Sequence, residues 1–204
     1  MKEQDRLDRQ MDFCLEIDKQ KLIGRQTYLS NGQRKENDAE HAWHLAIMAI
    51  LLQEYANEEL DLLKTVTMLL IHDLVEIDAG DTYAYDTEGQ KTKLQRETAA
   101  ADRIFSLLPE DQAQSLRALW EEFEAGTTPE ARFAHTMDNL QPTMLNAATG
   151  GKAWAQRKNR LSQVLKRNQN TATGSETLWD YSYTHFITPS LQSGALENDI
   201  ELHS

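Results

Sequence analysis

The sequence LLIHDLVEIDAGD, residues 69–81, begins as an apolar run and then carries a histidine, three aspartates and a glutamate. The apolar start predicts the buried part of a helix, which Gly80 would end. On that helix His72, Asp73 and Glu76 share one side. Burying such groups costs free energy unless they have partners, and a divalent cation suits both imidazole and carboxylate. By itself the stretch leaves two interpretations open: a metal site, or a helix end with a hydrogen-bonded histidine and solvated acids.

Helical patterns extend over nearly the whole chain, which has only 4 prolines and 9 glycines in 204 residues. No pair of alternating strands is evident, and residues 24–38 are predicted to form a polar loop. We therefore expect one all-α domain over residues 1–204 with about seven helices. The expected helices span residues 3–22, 39–56, 58–78, 91–108 and 110–124, a segment that begins near Pro129, and residues 176–187.

Several local features of these helices follow from the residue types. Asp38 and Asn57 are the expected N-caps of the second and third helices. Pro142 lies inside the helix that begins near Pro129 and should kink or shorten it. The first helix carries an apolar stripe, in which Cys14 is expected to be buried by packing. The members of the stripe are Leu7, Met11, Cys14, Leu15 and Leu22.

The chain carries a net charge of −12, from 33 acidic and 21 basic residues. Such a surface repels phosphate backbones, so we expect no nucleic-acid polymer as a partner. The longest apolar run, residues 45–52, is far shorter than the roughly 20 residues that cross a membrane. The first residues lack the apolar core of a signal peptide, and the lone Cys14 excludes an internal disulfide. We expect a cytoplasmic protein without a membrane segment.

Two further segments place single polar groups among apolar residues. DAEHAWHLAIMA opens the second helix with His41 and His44, and HTMDNL carries Asp138. A buried aspartate is rare without a partner. Three helices would thus each bring an isolated polar group to the core, which indicates one shared site. A packing or hydrogen-bonding role is expected for His44 and for His135.

On these residues the chain resembles the HD-domain metal-dependent phosphohydrolases, whose signature is a histidine, a His-Asp pair and a distant aspartate. The signature falls on His41, on His72 and Asp73, and on Asp138. The resemblance implies that these four residues hold one divalent metal ion. More closely, the chain is similar to the branch that contains bacterial 5′-deoxynucleotidases, through Arg25 in LIGRQ, the triplet AEH and the segment HDLVEIDAGD.

The resemblance covers residues 10–147, most of the expected domain. Residues 148–204, read as C-terminal helices and a polar tail, carry no recognisable signature. One extra residue before Gly80 shifts Asp81 relative to the deoxynucleotidase pattern, and Gln26 stands where those enzymes have an aromatic residue.

The resemblance implies hydrolysis of a small phosphomonoester, with a (deoxy)nucleoside 5′-monophosphate as the expected substrate. The metal would be Mn, Co, Fe, Ni, Zn or Mg, and would activate water and polarise a phosphoryl oxygen. Glu76 would orient the attacking water or relay a proton. Arg25 would clamp phosphate oxygens. Asp81 would hold Arg25 or protonate the leaving group.

Alternatives to this function stay open at the level of sequence. The main one is a non-catalytic module that binds a nucleotide or a partner, with a structural metal or none. Cleavage of a phosphodiester or pyrophosphate is another, although no second metal motif is visible. A homodimer is expected from the resemblance, with exposed apolar residues near Trp154, Trp179 and Tyr181 as the candidate contact. The basic segment 152–168, which includes Arg167, could attract a substrate tail or a partner, but a solvated helix face is expected.

Overall fold

The computed structural model describes residues 3–200, apart from the side chains of Glu3 and Thr87. These residues form a helical fold with one small two-stranded sheet, which confirms the expected all-α class. The α-helices are α1 Glu3–Ile17, α2 Asp38–Leu52, α3 Leu62–Ile71, α4 Glu76–Ala79, α5 Thr87–Ser106, α6 Glu110–Ala125, α7 Pro129–Ala148, α8 Lys152–Arg157, α9 Leu161–Arg167, α10 Thr171–Gly174, α11 Glu176–Ser182 and α12 Thr188–Gln192. The strands are β1 Gly24–Tyr28 and β2 Lys35–Asn37; 3₁₀ turns span Asp18–Leu22, Gln53–Tyr55 and His72–Val75, and a π-helical turn spans Tyr183–Ile187.

Seven long helical segments dominate the fold of residues 3–200. Six are α-helices of ten residues or more, namely α1, α2, α3, α5, α6 and α7. The seventh is continuous from Glu176 to Gln192 through the π-helical turn. This number agrees with the expectation from the sequence. Within the described part of the chain, none of the helices has the length and apolar character needed to cross a membrane.

Three clusters of buried apolar side chains hold these helices together. The first joins α2, α3 and α7, and the second joins α5 and α6 to the residues that follow α3. Leu69 belongs to the first cluster, whereas Leu74 and Val75 belong to the second, so the polar segment between them is anchored on both sides. The third cluster lies in the C-terminal region and contains Trp154. Trp154 is buried, so it is not itself one of the exposed apolar residues that could form the expected dimer contact.

A short antiparallel hairpin replaces part of the predicted polar loop. β1 pairs with β2 from Gly24 opposite Asn37 to Tyr28 opposite Lys35. Strands of five and three residues are too short to show the alternation by which strands are found in a sequence. The hairpin matters for the site because β1 carries Arg25 and β2 leads directly into α2.

The N-caps of α2 and α3 differ from the predicted ones. Asn37, not Asp38, caps α2: its side chain accepts from the Glu40 N–H, and the Glu40 carboxylate accepts from the Asn37 N–H. α3 is capped by Asp61 rather than by Asn57. Since the capping role falls to its neighbour, the side chain of Asp38 is free to enter the interior.

The apolar stripe of α1 lies on the surface, so the prediction that Cys14 is buried is wrong. α1 instead buries Phe13 in the second cluster. Its attachment is also polar, because the Arg9 guanidinium donates to the Leu107 carbonyl over 3.0 Å. The exposed members of the stripe are Leu7, Met11, Cys14, Leu15 and Leu22.

α7 passes through Pro142 and continues to Ala148, so the proline does not shorten the helix. Thr128 caps its first turn, where Pro129 is tolerated because the N–H it lacks would have no helical acceptor. Proline also has no N–H to offer within the helix. The carbonyl four residues before Pro142, that of Asp138, therefore lacks its usual helical donor.

Candidate metal centre and active site

The helix that carries the central polar residues tightens where they begin. α3 ends at Ile71, His72–Val75 form a 3₁₀ turn, and α4 follows, whereas periodicity predicts an unbroken helix over residues 58–78. A 3₁₀ turn has three residues per turn instead of 3.6. His72 and Asp73 nevertheless converge, with Nε2 of His72 only 3.1 Å from Oδ1 of Asp73.

One ring nitrogen of His72 is available as a ligand. Its Nδ1 donates to the carbonyl of Leu69 over 2.9 Å. A neutral ring with its proton on Nδ1 has a lone pair on Nε2. That Nε2 is buried and accepts no hydrogen bond from the described residues. The backbone of α3 therefore turns the free nitrogen of His72 toward the two aspartates of the site.

His41, on α2, is held in the same way through a longer chain of contacts. Its Nδ1 lies 3.1 Å from Oε1 of Gln141, which leaves Nε2 to face Asp138. The Gln141 amide in turn donates to Oε2 of Glu36 over 2.7 Å. Such a partner fixes the tautomer and the orientation of a metal-binding histidine. Neither Glu36 nor Gln141 was identified from the sequence.

The structure brings the four predicted ligands together in one place. Nε2 of His41 lies 3.1 Å from Oδ1 of Asp138 and 4.0 Å from Oδ2 of Asp73. Nε2 of His72 lies 3.9 Å from Oδ1 of Asp138. Ligand atoms about 2.1 Å from one ion lie roughly 3–3.5 Å apart. The buried, unpartnered Nε2 of His72 and the mixed nitrogen and oxygen donors therefore fit a divalent transition-metal ion.

The charges around this cluster attract a cation. Burial lowers the pKa of His72, but the Asp73 carboxylate more than offsets it and raises that pKa to about 9, so at neutral pH Nε2 holds a proton that a bound metal ion would displace. Burial, together with the charge of Arg25, lowers the pKa of His41 to about 4. Against the effect of burial, His72 and Arg25 lower the pKa of Asp73, and Arg167 and His41 lower that of Asp138. Both aspartates are thus anionic and available as ligands at neutral pH.

Arg25 lies between this cluster and a second group of acids. Its Nη1 is 2.8 Å from Oδ2 of Asp73 and 3.3 Å from Oδ1 of Asp38, and its Nε is 3.4 Å from Oε1 of Glu36. Carboxylate oxygens of Asp38, Asp73 and Glu76 all lie within 4.8 Å of one another, a spacing that could also hold a cation. The buried guanidinium of Arg25 is thus shared by the side chains of Glu36, Asp38 and Asp73.

Glu76 is almost fully buried, and its Oε2 has no hydrogen-bond partner among the described residues. Burial, followed by the charges of Asp73 and Asp38, raises the pKa of Glu76 to about 12. Burial acts in the same direction on Asp38, whose pKa rises to about 7. This carboxylate pocket therefore retains protons unless another positive charge enters it.

Asp81 follows Gly80, whose φ of 73° lets the chain turn sharply after α4. Its side chain lines the same cavity as His72 and Glu76. No ion pair within 4.0 Å joins Asp81 to Arg25 in the described residues, although the charge of Arg25 acts on the Asp81 carboxyl group. Burial raises the pKa of Asp81.

Comparison with known proteins identifies the family. A family model described as HD domain matches residues 17–179. The chain belongs to the HD-domain family. A crystal structure from Magnetospirillum magnetotacticum, described as a predicted metal-dependent phosphohydrolase, is 46% identical with a TM-score of 0.89, and the match covers 94% of this chain and 96% of that one.

More distant relatives share parts of this HD domain. The 5′-deoxynucleotidase HDDC2 of Homo sapiens is 33% identical over 111 residues, 54% of this chain and 53% of the relative. The match therefore spans about half the length of that relative. HDDC2 of Danio rerio is 28% identical over 137 residues, 66% of each chain. A conserved hypothetical protein from Pyrococcus furiosus is 20% identical, with a TM-score of 0.59 over 89% of this chain and 99% of that one, a likeness in fold alone.

The C-terminal part of the HD domain contributes Arg167, whose contact with the ligand cluster was not predicted from the sequence. Nη2 of Arg167, at the end of α9, donates to Oδ2 of Asp138 over 2.6 Å. Arg167 is 38% exposed, as a solvated helix face predicts, but its guanidinium also contacts the ligand cluster. Asp138 and Arg167 are 29 positions apart and lie on two different helices, α7 and α9. They meet because α10, which follows α9, packs against α7, so no spacing in the sequence could have indicated the pair.

The two spare histidines lie outside the ligand cluster, as expected. Nδ1 of His44 lies 3.3 Å from the Gln141 amide nitrogen. Nε2 of His135 donates to the Phe123 carbonyl over 2.7 Å, and its ring stacks on the Phe123 ring with centroids 4.1 Å apart.

The ligand cluster opens into a cavity of about 1090 Å³ between α7, α9 and the segment that follows α4. Six acidic and six basic side chains line it, so the cavity wall is formally neutral while the rest of the chain carries the whole net charge of −12. Its basic residues are Arg25, Lys93, Arg132, Arg160, Lys166 and Arg167. The cavity wall should therefore repel an anion less than the rest of this acidic chain does on average.

Proposed function

We propose that this HD domain is a metal-dependent phosphohydrolase that cleaves a small phosphomonoester. The observation that carries the proposal is the convergence of two buried histidines and two carboxylates at the wall of a large, locally neutral cavity. A metal site meant only for structure is usually closed by its ligands. The position of this cluster on a cavity wall supports a site that admits a substrate.

His41, His72, Asp73 and Asp138 are the proposed ligands of a divalent ion. Once bound, such an ion polarises a phosphoryl oxygen and lowers the pKa of water. The chain itself prepares the donors, because Leu69 and Gln141 hold the two rings with Nε2 turned inward. The nitrogen and carboxylate donors suit Mn, Co, Fe, Ni or Zn, with Mg also among the candidates.

The remaining residues of the site have proposed roles in handling the phosphate and its protons. Arg25 compensates the charge of the acids around it and lies on the cavity wall, where it can donate to a phosphate oxygen. Glu76, with one unpartnered oxygen, orients the attacking water or relays its proton. Asp81 protonates the leaving group, which its raised pKa favours.

A (deoxy)nucleoside 5′-monophosphate is the proposed substrate. The names of the HDDC2 relatives support this class, although the chain matches only about half of the human protein. The cavity, at about 1090 Å³, is at the upper end of the roughly 300–1000 Å³ typical of ligand sites, so it has room for a sugar and a base beside the phosphate.

A panel of phosphomonoesters tests the proposal. Protein stripped with a chelator and reloaded with Mn²⁺, Co²⁺ or Mg²⁺ should release phosphate from nucleoside 5′-monophosphates. The metal-stripped protein should be inactive, as should His72→Ala and Asp73→Ala. Activity that survives both substitutions in metal-stripped protein would contradict the proposal. A ligand that raises the melting temperature of wild type without any turnover would instead support the non-catalytic module.

We also propose a homodimer in the cytoplasm, built from one domain per chain. α2 presents a stripe of exposed apolar side chains at helical spacing, and such contiguous patches are typical of interaction surfaces. The contacts of α10 and α11 with α7 support a single domain that includes the C-terminal helices. Light scattering on Leu51→Glu should show a smaller particle than wild type. The exposed residues of the stripe are Trp43, Ile47, Ile50 and Leu51.

A further inference from the structure

The two aspartates of the ligand cluster each divide their oxygens between the cluster and an arginine. Oδ1 of Asp73 faces His72 while its Oδ2 lies 2.8 Å from Arg25. Oδ1 of Asp138 faces His41 while its Oδ2 lies 2.6 Å from Arg167. A guanidinium thus stands directly behind each carboxylate, one from β1 and one from the end of α9.

The two guanidinium groups differ in their exposure and in the number of acids that they contact. Arg25 is 12% exposed and lies within 3.4 Å of three carboxylates. Arg167 is 38% exposed and pairs, among the described residues, with the single carboxylate of Asp138. The N–H groups of an arginine that contacts three acids are largely occupied, whereas an arginine held by a single acid keeps donors free for an anion.

Arg167 also faces the right space. It lines the cavity together with Lys166 and Arg160 from the same C-terminal segment. Its partner Asp138 holds the guanidinium at the ligand cluster, so less side-chain entropy is lost when an anion binds. A phosphate beside that cluster comes within reach of the free N–H groups of Arg167, which match phosphate oxygens in geometry.

From these contacts we infer that Arg167 is a phosphate-binding residue of the cavity, oriented by Asp138, and that it contributes more to phosphate affinity than Arg25 does. The inference rests on the proposed function for the nature of the anion, a phosphate or phosphomonoester. It assigns a substrate-binding role to the C-terminal segment, which carries no recognisable motif in the sequence.

Binding of inorganic phosphate, measured by calorimetry on Mn²⁺-saturated protein at low ionic strength, tests the inference without any need for turnover. Arg167→Ala should weaken phosphate binding by about 10–100-fold, the loss expected for a charged hydrogen bond. Arg167→Lys keeps the positive charge but lacks the planar set of N–H donors of a guanidinium, so it should recover part of the lost phosphate affinity. For nucleoside monophosphates, the KM of Arg167→Ala should rise by more than its kcat falls.

Arg6→Ala is the matched control. Arg6 is 37% exposed and pairs with one aspartate, Asp111, but it joins α1 to α6 and does not line the cavity. Its phosphate affinity should equal that of wild type. A Mn²⁺ titration of each variant separates phosphate binding from an effect on the metal that passes through Asp138.

Two results would overturn the inference. One is phosphate affinity within twofold of wild type in Arg167→Ala at saturating Mn²⁺, even if Mn²⁺ itself binds less tightly, since Arg167 would then only position Asp138. The other is a wild-type protein that binds no phosphate. Phosphate binding that depends on Arg167, without hydrolysis of any phosphomonoester, would instead contradict the proposed function and leave this inference standing.

Discussion

The Asp73–Arg25 and Asp138–Arg167 pairs have the same chemistry in opposite surroundings. The first is buried on both sides and shares its guanidinium with Glu36 and Asp38. The second has a buried carboxylate but an arginine that is 38% exposed and lines the cavity. Both aspartates offer their other oxygen to the histidines of the cluster.

The difference shows how one interaction can serve stability in one place and binding in another. A buried ion pair is expensive to break, because removing one partner leaves an uncompensated charge in the interior. A half-exposed pair contributes little to folding, because water replaces the lost partner. We therefore expect substitutions around Arg25 to lower mainly the free energy of unfolding, and substitutions around Arg167 to lower mainly the affinity for a ligand.

The largest effects are expected at the aspartates, where the two pairs should behave alike. Asp73→Ala and Asp138→Ala each remove a proposed metal ligand. Each should weaken Mn²⁺ binding by more than the roughly 10–100-fold that changes around a ligand cause, and hydrolysis should become undetectable. Titration with Mn²⁺ and a phosphate-release assay check this. Tight Mn²⁺ binding by one of the two variants would remove that residue from the ligand set.

The next effect should separate the two arginines. In chelator-treated protein, Arg25→Met leaves several buried acids without a cation and should lower the free energy of unfolding by about 3–5 kcal/mol. Arg167→Met should lower it by at most about 1 kcal/mol. Urea unfolding gives both numbers, and Arg6→Met is a surface control. If Arg25→Met and Arg167→Met lower the free energy of unfolding equally, the two ion pairs have the same structural role. That result would contradict the expectation based on their different burial.

The stability of the metal-free protein should depend on pH through Glu36, an acid beside Arg25. Burial raises the pKa of Glu36 from its ordinary value to about 7, above that of the unfolded chain. Its contribution to stability is then full at acidic pH and is lost as the pH rises through 7. Between pH 5 and pH 8, metal-free wild type should lose about 1–3 kcal/mol relative to Glu36→Gln. Thermal melts at both pH values measure the difference.

The matched control for that experiment is Glu121→Gln. Glu121 is 57% exposed and pairs with Arg117 on the surface of α6. The difference between this variant and wild type should be nearly the same at pH 5 and pH 8. A difference for Glu36→Gln that is equally flat would show that Glu36 is charged in the folded protein at both pH values.

The smallest effect concerns an acid of the opening segment that lies outside both pairs. Asp78, at the end of α4, forms an ion pair with Arg103 on the surface. Asp78→Asn should change the free energy of unfolding by at most about 1 kcal/mol and leave kcat and Mn²⁺ affinity unchanged. Unfolding and activity measurements check both statements. A clear loss of activity would place Asp78 in the site and would contradict its assignment to a surface ion pair.

Much of the fold could be predicted from the sequence, because long helices repeat their apolar residues every three to four positions. The helical class and the number of long segments follow from that repetition. Short elements do not, since β1, β2 and the 3₁₀ turn at His72 are too brief to set up a period. The stripe on α1 also repeats at helical spacing, but periodicity cannot tell a core face from a face left open to other contacts.

In the candidate site, the sequence by itself singled out His72, Asp73 and Asp138, because ionisable groups among apolar residues are rare enough to stand out, and the resemblance to the HD-domain family added His41 to the predicted ligand set. Only the tertiary structure decided which groups surround them. Glu36, Gln141 and Arg167 belong to polar or basic stretches in which each looks like an ordinary surface residue. A long side chain on a polar segment acquires its role from what packs against it. For Arg167, that is the carboxylate of Asp138, brought to it where α9 lies near α7.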